Sequence, residues 1–255
     1  MDNDQEGIEN IILEYFAKIF KTDNPSNFDA SLCAISKWVT QEMNKELVAE
    51  FKAEEVRQAL QHMHPTKAPG PNGMSPICYQ QYCDIVGFDV VNCVLEVLNS
   101  IMLPCTLNET FICLIPKVAS PQKISRFKQI RLCNVVYKII SKVLANRLKN
   151  ILKEVIDESQ SAFVLRRSII ENVLVAFETM HYINQKRKGK EALMIVKLDI
   201  SKAYDRVEWS YLEAIMRKMG FHEKWIALMI MRVSTVSYLI PINKEPKRKI
   251  VPSRG

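Results

Sequence analysis

Between Ala192 and Trp209 the chain reads ALMIVKLDISKAYDRVEW, and the spacing of its apolar residues changes at one acidic side chain. Leu193, Met194, Ile195, Val196 and Leu198 form a short run rich in branched residues, preceded by the charged stretch KRKGK. A run this short suits a buried strand better than a buried helix. Beyond Asp199 the apolar positions Val207, Tyr211, Leu212 and Ile215 recur at threes and fours, with Ser210 and Glu213 near a helix start. The expectation is therefore a strand over Leu193–Asp199, a turn and a helix. A carboxylate at such a strand end has two readings: a cap for the following turn, or a ligand at the position where α/β-type folds bind metals and substrates.

The rest of the pattern favours helix. Among 255 residues only seven are glycine and eleven proline, which argues against a turn-dense all-β protein, while 48% apolar residues suffice for a substantial core. Ile8, Ile12, Tyr15, Phe16 and Ile19 fall at amphipathic helical spacing, and the pattern stops before TDNPSN. A second helix is expected over Ala53–Met63, with Glu54 and Glu55 in its first turn, where they suit the helix dipole. PTKAPGPNG, from Pro65 to Gly73, is a shaped loop, because three prolines remove donors and two glycines permit tight turns. Phe111–Lys117 and Phe127–Leu132 read as two strands of a hairpin. Val135–Ile156 reads as a long amphipathic helix, with Ile139, Val143, Leu144 and Leu148 among its inward residues. A second hairpin is expected around Tyr238–Val251, turning at Asn243 and Lys244.

Charge is unevenly placed. Residues 1–60 carry twelve acidic and six basic side chains, net −6, whereas the remainder is net +13. Between Thr110 and Lys153 there are ten Lys or Arg and no acid. So one-sided a run is either a solvated face or a surface for a polyanion, of which phosphate backbones are the commonest. Lys142, Arg147 and Lys149 on the long helix, and Lys67 in the Pro/Gly loop, are the candidate nucleic-acid contacts. For Lys67 a plain domain connector is the equal alternative. The seven cysteines are scattered and lack metal-ligand spacing, so reduced core thiols are expected. With no apolar run of membrane-spanning length and an acidic start, MDNDQEGIEN, a soluble intracellular protein without a membrane partner is expected.

DISKAYDRVEW, from Asp199 to Trp209, closely resembles the first carboxylate box of reverse transcriptases of plant LINE-type (non-LTR) retrotransposons. Four further blocks stand in the same family's order: KAPGPNGMSPICYQQY from Lys67, FICLIPK from Phe111, LCNVVYKIISKVLANRLK from Leu132 and QSAFV from Gln160. The resemblance covers the chain from about Tyr15 onward. It implies a helix-rich α+β fold holding the fingers and the first part of the palm of a right-hand polymerase, with antiparallel hairpins. Residues 1–63 would be a helical extension, 64–109 a Pro/Gly loop and helices leading into the fingers, and 110–255 the partial polymerase domain.

The implied chemistry is deoxynucleotidyl transfer from deoxynucleoside triphosphates to a DNA primer on an RNA template, with Mg²⁺, a hard cation that prefers oxygen ligands. By resemblance Asp199 and the backbone carbonyl of Ile200 would ligate metal, and Tyr204 would exclude a ribose 2′-hydroxyl. Lys117 and Lys128 of the fingers hairpin would hold the triphosphate. Several positions depart from the family. Asn72 stands where relatives have Asp, Lys128-Gln129-Ile130 replaces Arg-Pro-Ile, and Leu165-Arg166-Arg167 replaces Pro-Gly-Arg. Lysine at 128 keeps the charge but loses the planar fork that grips phosphate. Asp205 is expected to be structural, pairing with Lys202 or Arg206. Relatives continue past this point into a Tyr-Ala-Asp-Asp box carrying two more metal carboxylates, so a truncated copy or fragment is expected, inactive alone. The alternative is a catalytically dead relic that binds nucleic acid without sequence preference. Oligomeric state is not legible in these residues.

Overall fold

A computed structural model of the protein describes residues 5–164, 166–186, 193–243 and 245–255. Helices α1 (Gln5–Phe20), α2 (Asp29–Leu32), α3 (Gln41–Val48), α4 (Ala53–Gln61), α5 (Pro76–Gln81) and α6 (Cys83–Ser100) lead into strands β1 (Glu109–Pro116) and β2 (Phe127–Cys133). Helices α7 (Val135–Val155), α8 (Ile169–Gln185), α9 (Trp209–Met219) and α10 (Glu223–Ser234) follow, then strands β3 (Ser237–Ile242) and β4 (Glu245–Ile250). The fold is α+β and helix-rich, with a small mixed sheet. No helix among the described residues is long and apolar enough to cross a membrane.

Both expected hairpins are present, and the sheet joins them in the order β2-β1-β3-β4. β1 and β2 pair antiparallel from Thr110↔Cys133 to Pro116↔Phe127. β1 also pairs with β3 in parallel, from Glu109↔Ser237 to Phe111↔Leu239. That pairing stops short of Pro241, which has no N–H to give a ladder, and the β3–β4 register is irregular between Leu239 and Pro241. Asn243 makes the second turn with φ 53°; Lys244, the other expected turn residue, lies outside the described residues.

Two apolar clusters hold the chain together. In the larger, Leu47 of α3, Val56 of α4, Val94 and Leu98 of α6, Ile140 and Leu144 of α7 and Trp225 of α10 are buried against one another. In the smaller, Ile12, Phe16, Ile19 and Phe20 of α1, at helical spacing, cover Ile112 of β1 with Tyr238 and Ile240 of β3.

The Pro/Gly loop is pinned where β2 hands over to α7. Asn134 Oδ1 accepts the Asn72 N–H at 3.2 Å, and Lys138 Nζ donates to the Ala68 carbonyl at 2.7 Å. A Cβ on Gly70 would stand 2.4 Å from the Asn134 nitrogen, so only glycine allows this approach. The Asn72 side chain donates to the Tyr79 hydroxyl and accepts the Met74 N–H. That mixed role suits an amide better than the acceptor-only carboxylate of Asp.

One expectation is overturned. Residues 193–200 form no strand, and Leu193, Met194, Ile195, Val196 and Leu198 are all exposed. The segment pairs with neither hairpin. A strand needs a ladder partner for its N–H and C=O groups, and the sheet offers this run none among the described residues. α8 is equally open: none of its residues is buried, although Ile169, Val173, Phe177 and Met180 are apolar.

Candidate nucleotide-binding site

Asp199 therefore sits on exposed irregular backbone. The chain then turns sharply, Lys202 adopting φ 54° and Asp205 N–H bonding the Lys202 carbonyl at 3.0 Å, in a single 3₁₀ turn over Ala203–Arg206. This turn is clamped onto the sheet by β2. The Arg131 guanidinium donates to Asp205 Oδ1 at 2.5 Å while lying over the rings of Phe20 and Tyr238, 5.5 and 5.1 Å from their centroids. One guanidinium thus joins α1, β2, β3 and the turn. Asp205 is paired, but its side-chain partner is Arg131, 74 positions away, and not the expected Lys202 or Arg206. Lys202 lies instead over the Tyr15 ring, 4.8 Å from its centroid. Burial pushes the Tyr238 phenol upward, and the Arg131 charge opposes that shift.

The far side of the turn is fixed by the last residues. Gly255 N–H donates to the Val207 carbonyl at 2.9 Å, and Trp209 Nε1 donates to the Gly255 carbonyl at 3.0 Å. Arg254 bonds both Asp23 and Glu208. What results is a pocket of about 370 Å³ lined by Gln129, Arg131, Lys202, Ala203, Tyr204 and Asp205. Tyr204, the position expected to face the sugar, is 69% exposed beside it.

The two bases expected to hold the triphosphate are placed differently. Side chains alternate across a strand, so the register puts Lys128, opposite Ile115, on the face away from Gln129 and Arg131. The Lys117 N–H bonds the Arg126 carbonyl, which continues that register two residues on and sets Lys117 diagonal to Lys128. The structure brings Tyr204 together with Gln129 and Arg131, and it does not bring Lys117 or Lys128 to that pocket. The sequence reading missed Arg131; its only signal was membership of the acid-free basic run.

The four candidate nucleic-acid contacts also separate. Lys67, Lys142 and Lys149 share one neighbourhood: burial holds the Lys142 ammonium below its ordinary range, and the like charges of Lys149 and Lys67 add to the shift. Arg147 is turned inward instead. It donates to both oxygens of Glu55 at 2.7 and 2.8 Å and to the carbonyls of Leu47, Ala49 and Glu50, and lies 3.7 Å from the Phe51 ring centroid. With those partners its guanidinium fastens α3 and α4 to α7.

For a divalent ion the fit is poor. Mg²⁺ demands close to octahedral oxygen coordination, and among the described residues no three His, Cys, Asp or Glu side chains converge on one point. Asp199 and the Ile200 carbonyl do not by themselves make such a site.

The family model described as reverse transcriptase (RNA-dependent DNA polymerase) matches residues 115–254, from the end of β1 through β4. The "Transposon TX1 uncharacterized 149 kDa protein" of Xenopus laevis is 27% identical over 242 residues, which is 94% of this chain and 18% of that protein. The chain thus spans less than a fifth of the relative's length. Over more than half of its residues the chain matches one family model, and it belongs to the reverse transcriptase family.

Proposed function

We propose that the chain supplies the fingers and the opening part of the palm of an RNA-directed DNA polymerase from a LINE-type element. That polymerase moves deoxynucleotidyl groups from deoxynucleoside triphosphates to a DNA primer on an RNA template, inside the cell. The observation that carries this reading is the Arg131–Asp205 clamp, which holds the Tyr204 turn against the fingers strand and forms a pocket between them. In this reading the Tyr204 ring excludes a 2′-hydroxyl, Lys117 and Lys128 meet the triphosphate from the other face of the hairpin, and Lys67, Lys142 and Lys149 meet a nucleic-acid backbone. Asp199 and Ile200 are the residues of this chain offered to Mg²⁺. Their donor set alone is too small to hold it.

Because no carboxylates converge with Asp199 among the described residues, a second reading is a chain that only binds nucleic acid. Primer extension separates the two. Phosphoryl transfer depends on positioning and charge stabilisation, so the 255-residue chain alone is expected to extend no primer with Mg²⁺ or Mn²⁺. Joined to a reverse transcriptase palm segment that brings two further carboxylates, it is expected to synthesise DNA, to lose that synthesis on Asp199→Ala, and to accept ribonucleotides on Tyr204→Val. Lys128→Arg is expected to strengthen nucleotide use. A fusion whose synthesis ignores Asp199, or that synthesises nothing, would overturn the polymerase reading.

A further inference from the structure

We propose that Ser120, at the tip of the β1–β2 hairpin, is a phosphate-acceptor site for a proline-directed serine kinase, and that its phosphate competes with a triphosphate for Lys117 and Lys128. That competition rests on the reading in which those two lysines meet a nucleotide; the modification itself does not.

The chain has two Ser-Pro steps, and the fold treats them oppositely. At Ser75 the following proline, Pro76, is buried in the first turn of α5, and the Ser75 hydroxyl lies 3.6 Å from Cys78 Sγ. Ser120 stands instead in a loop, residues 117–123, that forms neither helix nor strand, and Ser120, Gln122 and Lys123 are exposed. Pro121 biases the residue before it towards extended backbone, the form in which a kinase cleft takes an acceptor peptide, and brings no N–H that the cleft would have to satisfy. Lys123 sets a positive charge three residues after the hydroxyl and completes the Ser-Pro-x-Lys pattern that proline-directed kinases accept.

A phosphate placed here lands among cations. The Lys117 N–H donates to the Arg126 carbonyl and the Arg126 N–H to the Lys123 carbonyl, both at 2.9 Å, so the two ends of the loop are tied at its base. Lys117 and Lys123 each stand three residues from Ser120, at most about 11 Å along the chain. Lys128 is diagonal to Lys117 across the hairpin. Of the hairpin's bases only Arg131 is ion-paired among the described residues, to Asp205, so the tip carries its positive charge uncompensated. A phosphoserine brings about −1.5 to −2 of charge at pH 7 and three strong acceptor oxygens. In the transfer, Ser120 Oγ bonds the γ-phosphorus of ATP and the bond from that phosphorus to the β,γ-bridging oxygen breaks. ADP leaves, and the hydroxyl proton passes to the catalytic carboxylate of the kinase.

The test treats the full chain with a cyclin-dependent kinase, ATP and Mg²⁺. One phosphoryl group per chain is expected, mapped to Ser120 by tandem mass spectrometry, lost in Ser120→Ala and retained in Ser75→Ala. Lys123→Ala is expected to be modified more slowly. By phosphorus NMR the phosphoserine is expected to titrate below its ordinary value of about 6, because neighbouring cations favour the dianion, and to return towards that value in Lys117→Ala with Lys128→Ala. Affinity for a fluorescent deoxyadenosine triphosphate is expected to fall roughly tenfold on phosphorylation at about 0.1 M salt. The proposal is overturned if the chain takes up no phosphate, if the phosphate goes to another residue, or if the phosphoserine titrates at its ordinary value. It is equally overturned if phosphorylation leaves nucleotide affinity unchanged while Lys117→Ala with Lys128→Ala lowers it. If neither change alters that affinity, the nucleotide role of the two lysines is what falls, and the modification site stands on the mass spectra.

Discussion

α7 and α8 are helices of similar length, 21 and 17 residues, yet their surroundings are opposite. α7 buries seven residues and is touched by α3, α4 and α6, whereas α8 buries none. α8 is the more apolar of the two by composition: its seventeen residues include Ile169, Ile170, Val173, Leu174, Val175 and Phe177. Apolar content therefore does not decide what is buried in this chain. Partners do, and α7 has them because Arg147 and its neighbours draw the N-terminal helices onto it.

The largest effect that would break this contrast is at Arg147. Arg147→Ala leaves the Glu55 carboxylate and three carbonyls without their donor, at a cost of about 4 kcal/mol, measured by chemical denaturation. Arg147→Lys is expected to recover little, since a point charge cannot serve Glu55 and the carbonyls together. Next comes packing. Leu144→Ala, at a fully buried position of α7, is expected to cost about 3 kcal/mol, whereas Phe177→Ala on α8 costs less than about 0.5 kcal/mol. Equal losses at the two sites would remove the contrast.

Much of the architecture was legible. The stripe Ile12, Phe16 and Ile19 marks α1, the acid-first segment Ala53–Gln61 marks α4, and both hairpins follow from alternation and turn residues. These are local signals, and local periodicity is what a sequence displays. The parallel β1–β3 pairing, the Arg131–Asp205 bond and the five-partner Arg147 join residues some 74 to 128 positions apart, and nothing in local spacing announces them. Leu193–Leu198 failed for a related reason: its composition is that of a buried strand, but a strand is defined by its partner. At the site, the motif located the Tyr204 turn, while the pleat of β2 decided that Arg131 and not Lys128 would meet it.

A smaller effect sharpens the account of α7. Burial pushes the Glu55 carboxyl up, but hydrogen bonds from Arg147 and the Lys52 amide, with the charges of Arg147 and Lys52, outweigh it and hold the group below its ordinary value of 4.5. A carboxylate depressed in the folded state stabilises above its unfolded pKa and loses that contribution as pH falls through the folded one. Stability is expected to drop as pH falls below about 4.5, and Glu55→Gln to flatten that part of the pH profile.

The measurement that bears most directly on the central claim, a clamped Tyr204 turn that follows an unpaired segment carrying Asp199, is amide hydrogen exchange along the intact chain. Amides of α7 and β1 are expected to exchange slowly, while those of residues 193–200 exchange within roughly tenfold of an unstructured peptide, and the Asp205 amide, bonded to the Lys202 carbonyl, exchanges more slowly than they do. Protection of Leu193–Leu198 equal to that of β1 would show a paired strand there and contradict the account.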